Sequence, residues 1–175
     1  GGERPISSCK FIPDSQELLL GDWNGSCRVL NCLDLEITNE IGQIHSDKIS
    51  SVNAFSSNLL ATSSFDGSIC ILNNNSNDRK LIGQAHEGRV CKIEFHPNGK
   101  LLGTAGSDGN IGLFDLEQLQ FIYKQPSHRM SAFCLSFHPD GSLLATGGLE
   151  GVGRVWDLRT GHCIMTLNGH SKGIL

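Results

Sequence analysis

Short runs of alternating apolar and polar residues recur along the chain, each closed by turn-forming residues. The clearest set lies in the last third. Ala132–Phe137 alternates apolar and small residues, and His138-Pro139-Asp140-Gly141 follows as a turn. Leu143–Gly148 and Gly153–Asp157 flank Glu150-Gly151, and Arg159-Thr160-Gly161 leads into His162–Leu167. A period of two predicts strands with one face buried, and Gly, Pro, Asp and Asn supply the backbone angles and local hydrogen bonds of tight turns. The same four-strand reading fits Val90–Phe95, Leu101–Gly106, Ile111–Asp115 and Phe121–Lys124. It fits Ile49–Phe55, Leu59–Ser64, Ser68–Leu72 and Lys80–Gly83, and again Ser7–Phe11, Leu18–Asp22, Cys27–Leu30 and Glu36–Ile41. No stretch carries the 3.6-residue period of a long amphipathic helix.

The four sets are copies of one unit. Asn24-Gly25, Asp66-Gly67, Asp108-Gly109 and Glu150-Gly151 stand 42 residues apart. Six residues after each comes Leu30-Asn31, Leu72-Asn73, Phe114-Asp115 or Trp156-Asp157. A histidine register, His45, His86, His128 and His170, keeps nearly the same step. Three independent features on one period near 42 are the mark of WD40 propeller blades. The predicted fold class is therefore all-β, a partial WD40 β-propeller of four four-stranded blades plus the start of a fifth. The blades fall at about 4–43, 44–84, 85–126 and 127–169, with 170–175 opening the next. With no initiator Met, the chain reads as a fragment of a larger ring.

Composition narrows the class. Hydrophobic residues make up 38% of the chain and charged ones 18%, enough apolar content for a packed core. A formal net charge of −4 gives no global basic field of the kind nucleic-acid binders carry. Cys9, Cys27, Cys32, Cys70, Cys91, Cys134 and Cys163 are odd in number and include no C-x-x-C pair. They read as buried, reduced strand thiols and not as a metal site or disulfide framework. No apolar run has the length of a membrane helix. Motifs for catalysis, cofactor binding or a small-molecule substrate all fail on context, and no enzymatic role is expected.

The recurring histidines read as structural. Each lies between the last strand of one blade and the first of the next, with an acid 21 or 22 residues on: His45 with Asp66, His86 with Asp108, His128 with Glu150. The carboxylate is expected to accept the imidazole N–H and lock two loops, extended by a second-strand Ser or Thr and by Trp156 on the third strand. The second-strand position is read two residues before the acid, as Ser64, Gly106 and Gly148, so that no blade holds all four members. His96 and His138, ahead of prolines, read as solvated turn residues. Lys48, Arg89, Arg129 and Lys172 follow the repeat histidines by one to three residues and form a candidate partner-binding face for acidic peptides or RNA.

Beyond the WD pattern, long stretches resemble one family. They are Glu3-Arg4-Pro5-Ile6-Ser7-Ser8-Cys9-Lys10-Phe11, Asp22-Trp23-Asn24-Gly25-Ser26-Cys27, Leu101-Leu102-Gly103-Thr104, and the run from Thr146 through Gly161 with Cys163-Ile164-Met165. Gly153-Arg154 ahead of Val155-Trp156-Asp157 is the most specific part. These are similar to the WD-repeat subunit of the spliceosomal U4/U6 small nuclear ribonucleoprotein, the pre-mRNA-processing factor four family. The resemblance implies a nuclear, non-enzymatic scaffold of the U4/U6 particle and the tri-snRNP. Its implied partners are other U4/U6 snRNP proteins and the snRNA. The run Asn73-Asn74-Asn75-Ser76-Asn77 departs from it. Trp156-Asp157-Leu158-Arg159 also matches the W-D-x-R pattern of WD40 substrate receptors of cullin ubiquitin ligases, and a generic WD40 interaction scaffold is the remaining alternative.

Overall fold

A computed structural model describes residues 5–76 and 78–175. Glu3 and Arg4, which enter the resemblance, and Asn77, in the departing run, lie outside the described residues. The chain divides into two compact units, Gly1–Val90 and Cys91–Leu175.

The first unit holds two antiparallel sheets. One has the order β1 (Ile6–Phe11), β2 (Glu17–Asp22), β3 (Ser26–Asn31), β4 (Ile37–Gln43). The other runs β5 (Ile49–Ala54), β6 (Leu59–Ser64), β7 (Ile69–Asn73), β8 (Arg79–Ile82). The second unit repeats the plan. Its sheets are β9 (Val90–Phe95, whose first residue closes the first unit), β10 (Leu101–Gly106), β11 (Asn110–Asp115), β12 (Gln120–Pro126), and β13 (Ala132–Phe137), β14 (Leu143–Gly148), β15 (Gly153–Asp157), β16 (His162–Leu167). In every sheet, spatial order follows chain order, the meander of a propeller blade.

Burial explains which strands the pattern reveals. The second and third strands of each sheet carry the core: Leu19 opposite Val29, Leu60 opposite Leu72, Leu144 opposite Trp156. In the first unit they join Ile49, Val52 and Cys70 in one apolar cluster, and in the second Ile111, Leu113, Leu135 and Phe137 join Leu144 and Trp156. Each fully buried large side chain contributes about 1.5–3 kcal/mol. The fourth strands differ. β16 is exposed along its whole length and β8 along most of it. β4 and β12 end beyond their predicted limits, at Gln43 and Pro126.

The thiols divide by position. Cys27 and Cys70 are buried and Cys9 and Cys163 exposed, so the expectation of uniformly buried thiols fails for the outer pair. All seven are free. Burial pushes the Cys27 thiol up to about 12.

Candidate functional site

The turns that set the 42-residue period do so by touching the histidine loops. Gly25, Gly67, Gly109 and Gly151 all have positive φ, which favours glycine. A Cβ on Gly25 would stand 2.4 Å from the His45 carbonyl oxygen, and one on Gly109 2.5 Å from that of His128. The Gly25 carbonyl accepts the N–H groups of Ile44 and His45, and the Gly109 carbonyl those of Ser127 and His128. Backbone contact therefore ties each histidine to the turn of the preceding sheet.

The imidazole then reaches into the following sheet. In the fourth sheet, His128 Nδ1 lies 2.8 Å from Glu150 Oε1 and Nε2 lies 2.9 Å from Thr146 Oγ1. Trp156 Nε1–H donates to the same Thr146 oxygen at 2.9 Å. A carboxylate only accepts and an indole only donates, so Nδ1–H donates to Glu150 and the Thr146 oxygen accepts from Trp156. In the neutral ring, which burial favours, the Thr146 hydroxyl donates to Nε2. Arg154 adds a bond from its guanidinium to Glu150 Oε1 at 3.1 Å and another to the Ser127 carbonyl. Burial holds the His128 pKa below its usual value; Glu150 works against this, while the Arg154 charge adds to it.

The second sheet builds the same lock with one added link. His45 Nδ1 is 3.8 Å from Asp66 Oδ1, beyond direct hydrogen bonding, and 2.6 Å from Ser68 Oγ. The Ser68 hydroxyl donates to Asp66 Oδ1 at 2.6 Å, and His45 Nε2 lies 2.8 Å from Thr62 Oγ1. The chain of donors again places a proton on His45 Nδ1. Its pKa is lowered by burial against the opposing pull of Asp66. Burial alone would raise Asp66, but bonds from the Ser68 hydroxyl and N–H and the Ser46 N–H hold it down to about 2.

The second-strand member is thus Thr62 or Thr146, four residues before the acid, and not the position two before it. Alternation explains the correction: positions two apart share a face, and the nearer one sits too close to the turn. Ser64 instead donates to the carbonyls of Asp47 and Lys48. At Gly148 a Cβ would stand 2.5 Å from both Glu150 Oε2 and His128 Nδ1, so the direct histidine–glutamate bond needs glycine there. His128, Thr146, Glu150 and Trp156 form a complete four-member lock, contrary to the expectation that no blade holds one. Leu72 takes the tryptophan position in the second sheet.

The remaining predicted pair, His86 with Asp108, divides between the units. His86 is buried in the first, its N–H bonded to the Gly67 carbonyl at 3.3 Å. Asp108 stands at the β10–β11 turn of the second and accepts the Asn110 N–H. Thr104 occupies the threonine register before it and is fully buried. The first sheet departs from the pattern: its turn acid is Asp22, which accepts from Asn24 N, Ser26 N and the Arg28 guanidinium. His170 is exposed.

His96 is not a solvated turn residue. It is 8% exposed, packs its ring edge-on against Phe137 with centroids 5.0 Å apart, and donates from Nε2 to the Gly141 carbonyl at 2.9 Å. The β9–β10 turn folds it inward, which its proline neighbour does not reveal. His138 is exposed.

The four cations share a loop but not a position. Lys48 and Arg89 each stand three residues after a histidine and lie on rings. Lys48 Nζ is 5.1 Å from the Trp23 ring centroid and 4.2 Å from that of Phe65, and Arg89 Cζ is 5.3 Å from Phe65. Arg129, adjacent to His128, is exposed and directs its N–H toward Glu150 at 3.4 Å; Lys172 is exposed. Sequence reasoning found the cations and missed the rings, although Trp23 and Phe65 hold the same repeat position. Among the described residues no three His, Cys, Asp or Glu side chains gather as a metal-binding group.

Comparison with known proteins agrees with this architecture. The family described as WD domain, G-beta repeat matches residues 119–157, and the family of the anaphase-promoting complex subunit 4 WD40 domain matches 54–136. U4/U6 small nuclear ribonucleoprotein PRP4 of Saccharomyces cerevisiae is 33% identical over 128 residues, covering 70% of this chain and 28% of that protein. WD repeat-containing protein 55 of Homo sapiens is 25% identical over 119 residues, 66% of this chain and 31% of its own. The guanine nucleotide-binding protein subunit beta of Nicotiana tabacum is 30% identical over 132 residues, 69% and 35% respectively. The chain spans about a third of the length of these relatives.

Proposed function

From the premise that the chain is built of WD40 repeats, we propose that it is a non-enzymatic scaffold of the U4/U6 snRNP and the U4/U6.U5 tri-snRNP, acting in pre-mRNA splicing in the nucleus. The observation that carries this reading is the 33% identity to the yeast U4/U6 protein over most of the chain. The geometry supports a scaffold for a separate reason. The strongest polar constellations, around His45 and His128, are buried and neutral, and they recur from blade to blade. A catalytic centre is unique within a fold, whereas this arrangement recurs in two sheets and spends its hydrogen bonds on holding loops. What these side chains hold in place are loops of the kind that carry Lys48, Arg89, Arg129 and Lys172, the proposed partner-binding residues. The partners proposed are other U4/U6 snRNP proteins and the snRNA.

The substrate-receptor alternative draws no support from its motif residues. Trp156 is committed to Thr146, and the Asp157 carboxylate accepts the N–H groups of Arg159 and Thr160 in its own turn. Affinity capture from nuclear extract separates the readings. Retention of U4 and U6 snRNA with their proteins supports the splicing scaffold. Retention of a cullin adaptor without those RNAs, or of neither, refutes it.

A further inference from the structure

The rings beneath Lys48 and Arg89 mark a specific recognition site in the first unit. Trp23 and Phe65 open equivalent turns, after β2 and β6, and each is fixed by its backbone N–H, to the Pro5 and Lys48 carbonyls respectively. The Lys48 ammonium lies over both rings and Arg89 over Phe65, so ring and cation alternate along one ribbon. The equivalent positions in the second unit are Ser107 and Leu149, so only the first unit has the aromatic pair.

The surrounding charges are already engaged. Asp22 holds Arg28 and two turn N–H groups. Asp66 holds Ser46 and Ser68, and Asp47 takes the Lys48 N–H. Among the described residues, no carboxylate lies within ion-pair reach of the Lys48 ammonium; its side chain meets the two rings instead. Trp23, 52% exposed, presents a broad apolar surface beside that cation. A positioned ammonium with an open indole and an arginine is the chemistry of a protein interface hot spot, where Trp and Arg dominate.

We infer that the Trp23–Lys48–Phe65–Arg89 ribbon binds an acidic peptide segment of a partner protein, with a carboxylate on Lys48 and an apolar side chain against Trp23. The inference rests on the scaffold reading and names the chemistry of one partner contact. A polynucleotide fits less well. It needs a run of cations, and here two cations alternate with rings.

Trp23 itself reports occupancy, since the second tryptophan of the chain, Trp156, is buried. The chain would be titrated with a glutamate–tyrosine copolymer, with polyglutamate and with single-stranded oligouridylate. The expected result is a change in Trp23 emission and salt-sensitive binding of the copolymer, roughly tenfold tighter than polyglutamate. Trp23→Ala and Lys48→Gln should each weaken it by about tenfold, Lys48→Arg should retain most of it, and Lys100→Gln, in an exposed turn of the second unit, should leave it unchanged. Unaltered melting curves would show that the variants fold. Copolymer affinity indifferent to Trp23 and Lys48, or no emission change at saturation, overturns the inference. So does oligouridylate binding more tightly than the copolymer through the same two residues. Loss of this site with U4/U6 particles still captured from extract would leave the broader function standing.

Discussion

Thr146→Val isolates the lock at its centre. The substitution keeps side-chain volume, so no cavity opens, but it removes the one hydroxyl that serves two buried partners. Trp156 Nε1–H loses its acceptor and His128 Nε2 loses its donor. A buried polar group left without a partner costs about 1–3 kcal/mol, so the variant should lose about 2–6 kcal/mol. Thr62→Val provides the internal comparison. Its hydroxyl serves His45 Nε2, and Leu72 stands where the second donor would be. That variant should lose about 1–3 kcal/mol. In a Trp156→Phe background the cost of Thr146→Val should shrink toward that of Thr62→Val, since the indole donor is gone. Urea denaturation followed by circular dichroism would measure the parent and all four variants. Equal losses from the two Thr→Val changes, or a Thr146→Val chain within about 0.5 kcal/mol of the parent, would refute the shared-hydroxyl reasoning.

Three further outcomes follow from the same contacts. His96→Ala should cost about 1–2 kcal/mol through the lost Gly141 bond and Phe137 contact, while His138→Ala should stay within about 0.5 kcal/mol in the same melts. Gly148→Ala should cost about 1–3 kcal/mol by driving His128 from Glu150, whereas Gly83→Ala, with open space around it, should cost no more than about 0.5 kcal/mol. Acid should destabilise the fold. His45 and His128 have native pKa values below 6.5, so below that pH the unfolded chain binds protons the native chain refuses, and stability falls as pH falls. Asp66, at about 2 against an ordinary 3.8, adds a second loss below pH 4 in the same direction. Melting temperatures that hold steady or rise from pH 7 to pH 5 would contradict this.

The repeat was legible because two of its registers meet in space. Glycine turn and histidine loop are held at one spacing by direct contact, so the sequence carries that spacing openly. The strands of the fourth sheet match their predicted limits residue for residue for the same reason: turn chemistry closes each one. What stayed hidden depends on geometry across strands. Thr62 and Thr146 look like ordinary strand threonines until pairing places them beside an imidazole. Ser68 looks like a turn residue, yet it carries the histidine–aspartate bond in the second sheet. Trp23 and Phe65 share a register, but their rings become meaningful only when Lys48 is seen lying over them. Arg154, singled out by its unusual sequence context, turns out to brace Glu150.

If the repeat histidines are structural, the loop face is free for partners; if they are reactive, the scaffold reading fails. Nitrogen-15 NMR of the imidazoles decides between these directly. His45 and His128 should show a protonated Nδ1 and an unprotonated Nε2, the tautomer their carboxylate-side and threonine-side bonds require. Both should stay neutral below the ordinary histidine midpoint. An Nε2–H tautomer at either residue, or a ring that titrates at or above 6.5, would contradict the locks and with them the division between structural and binding residues.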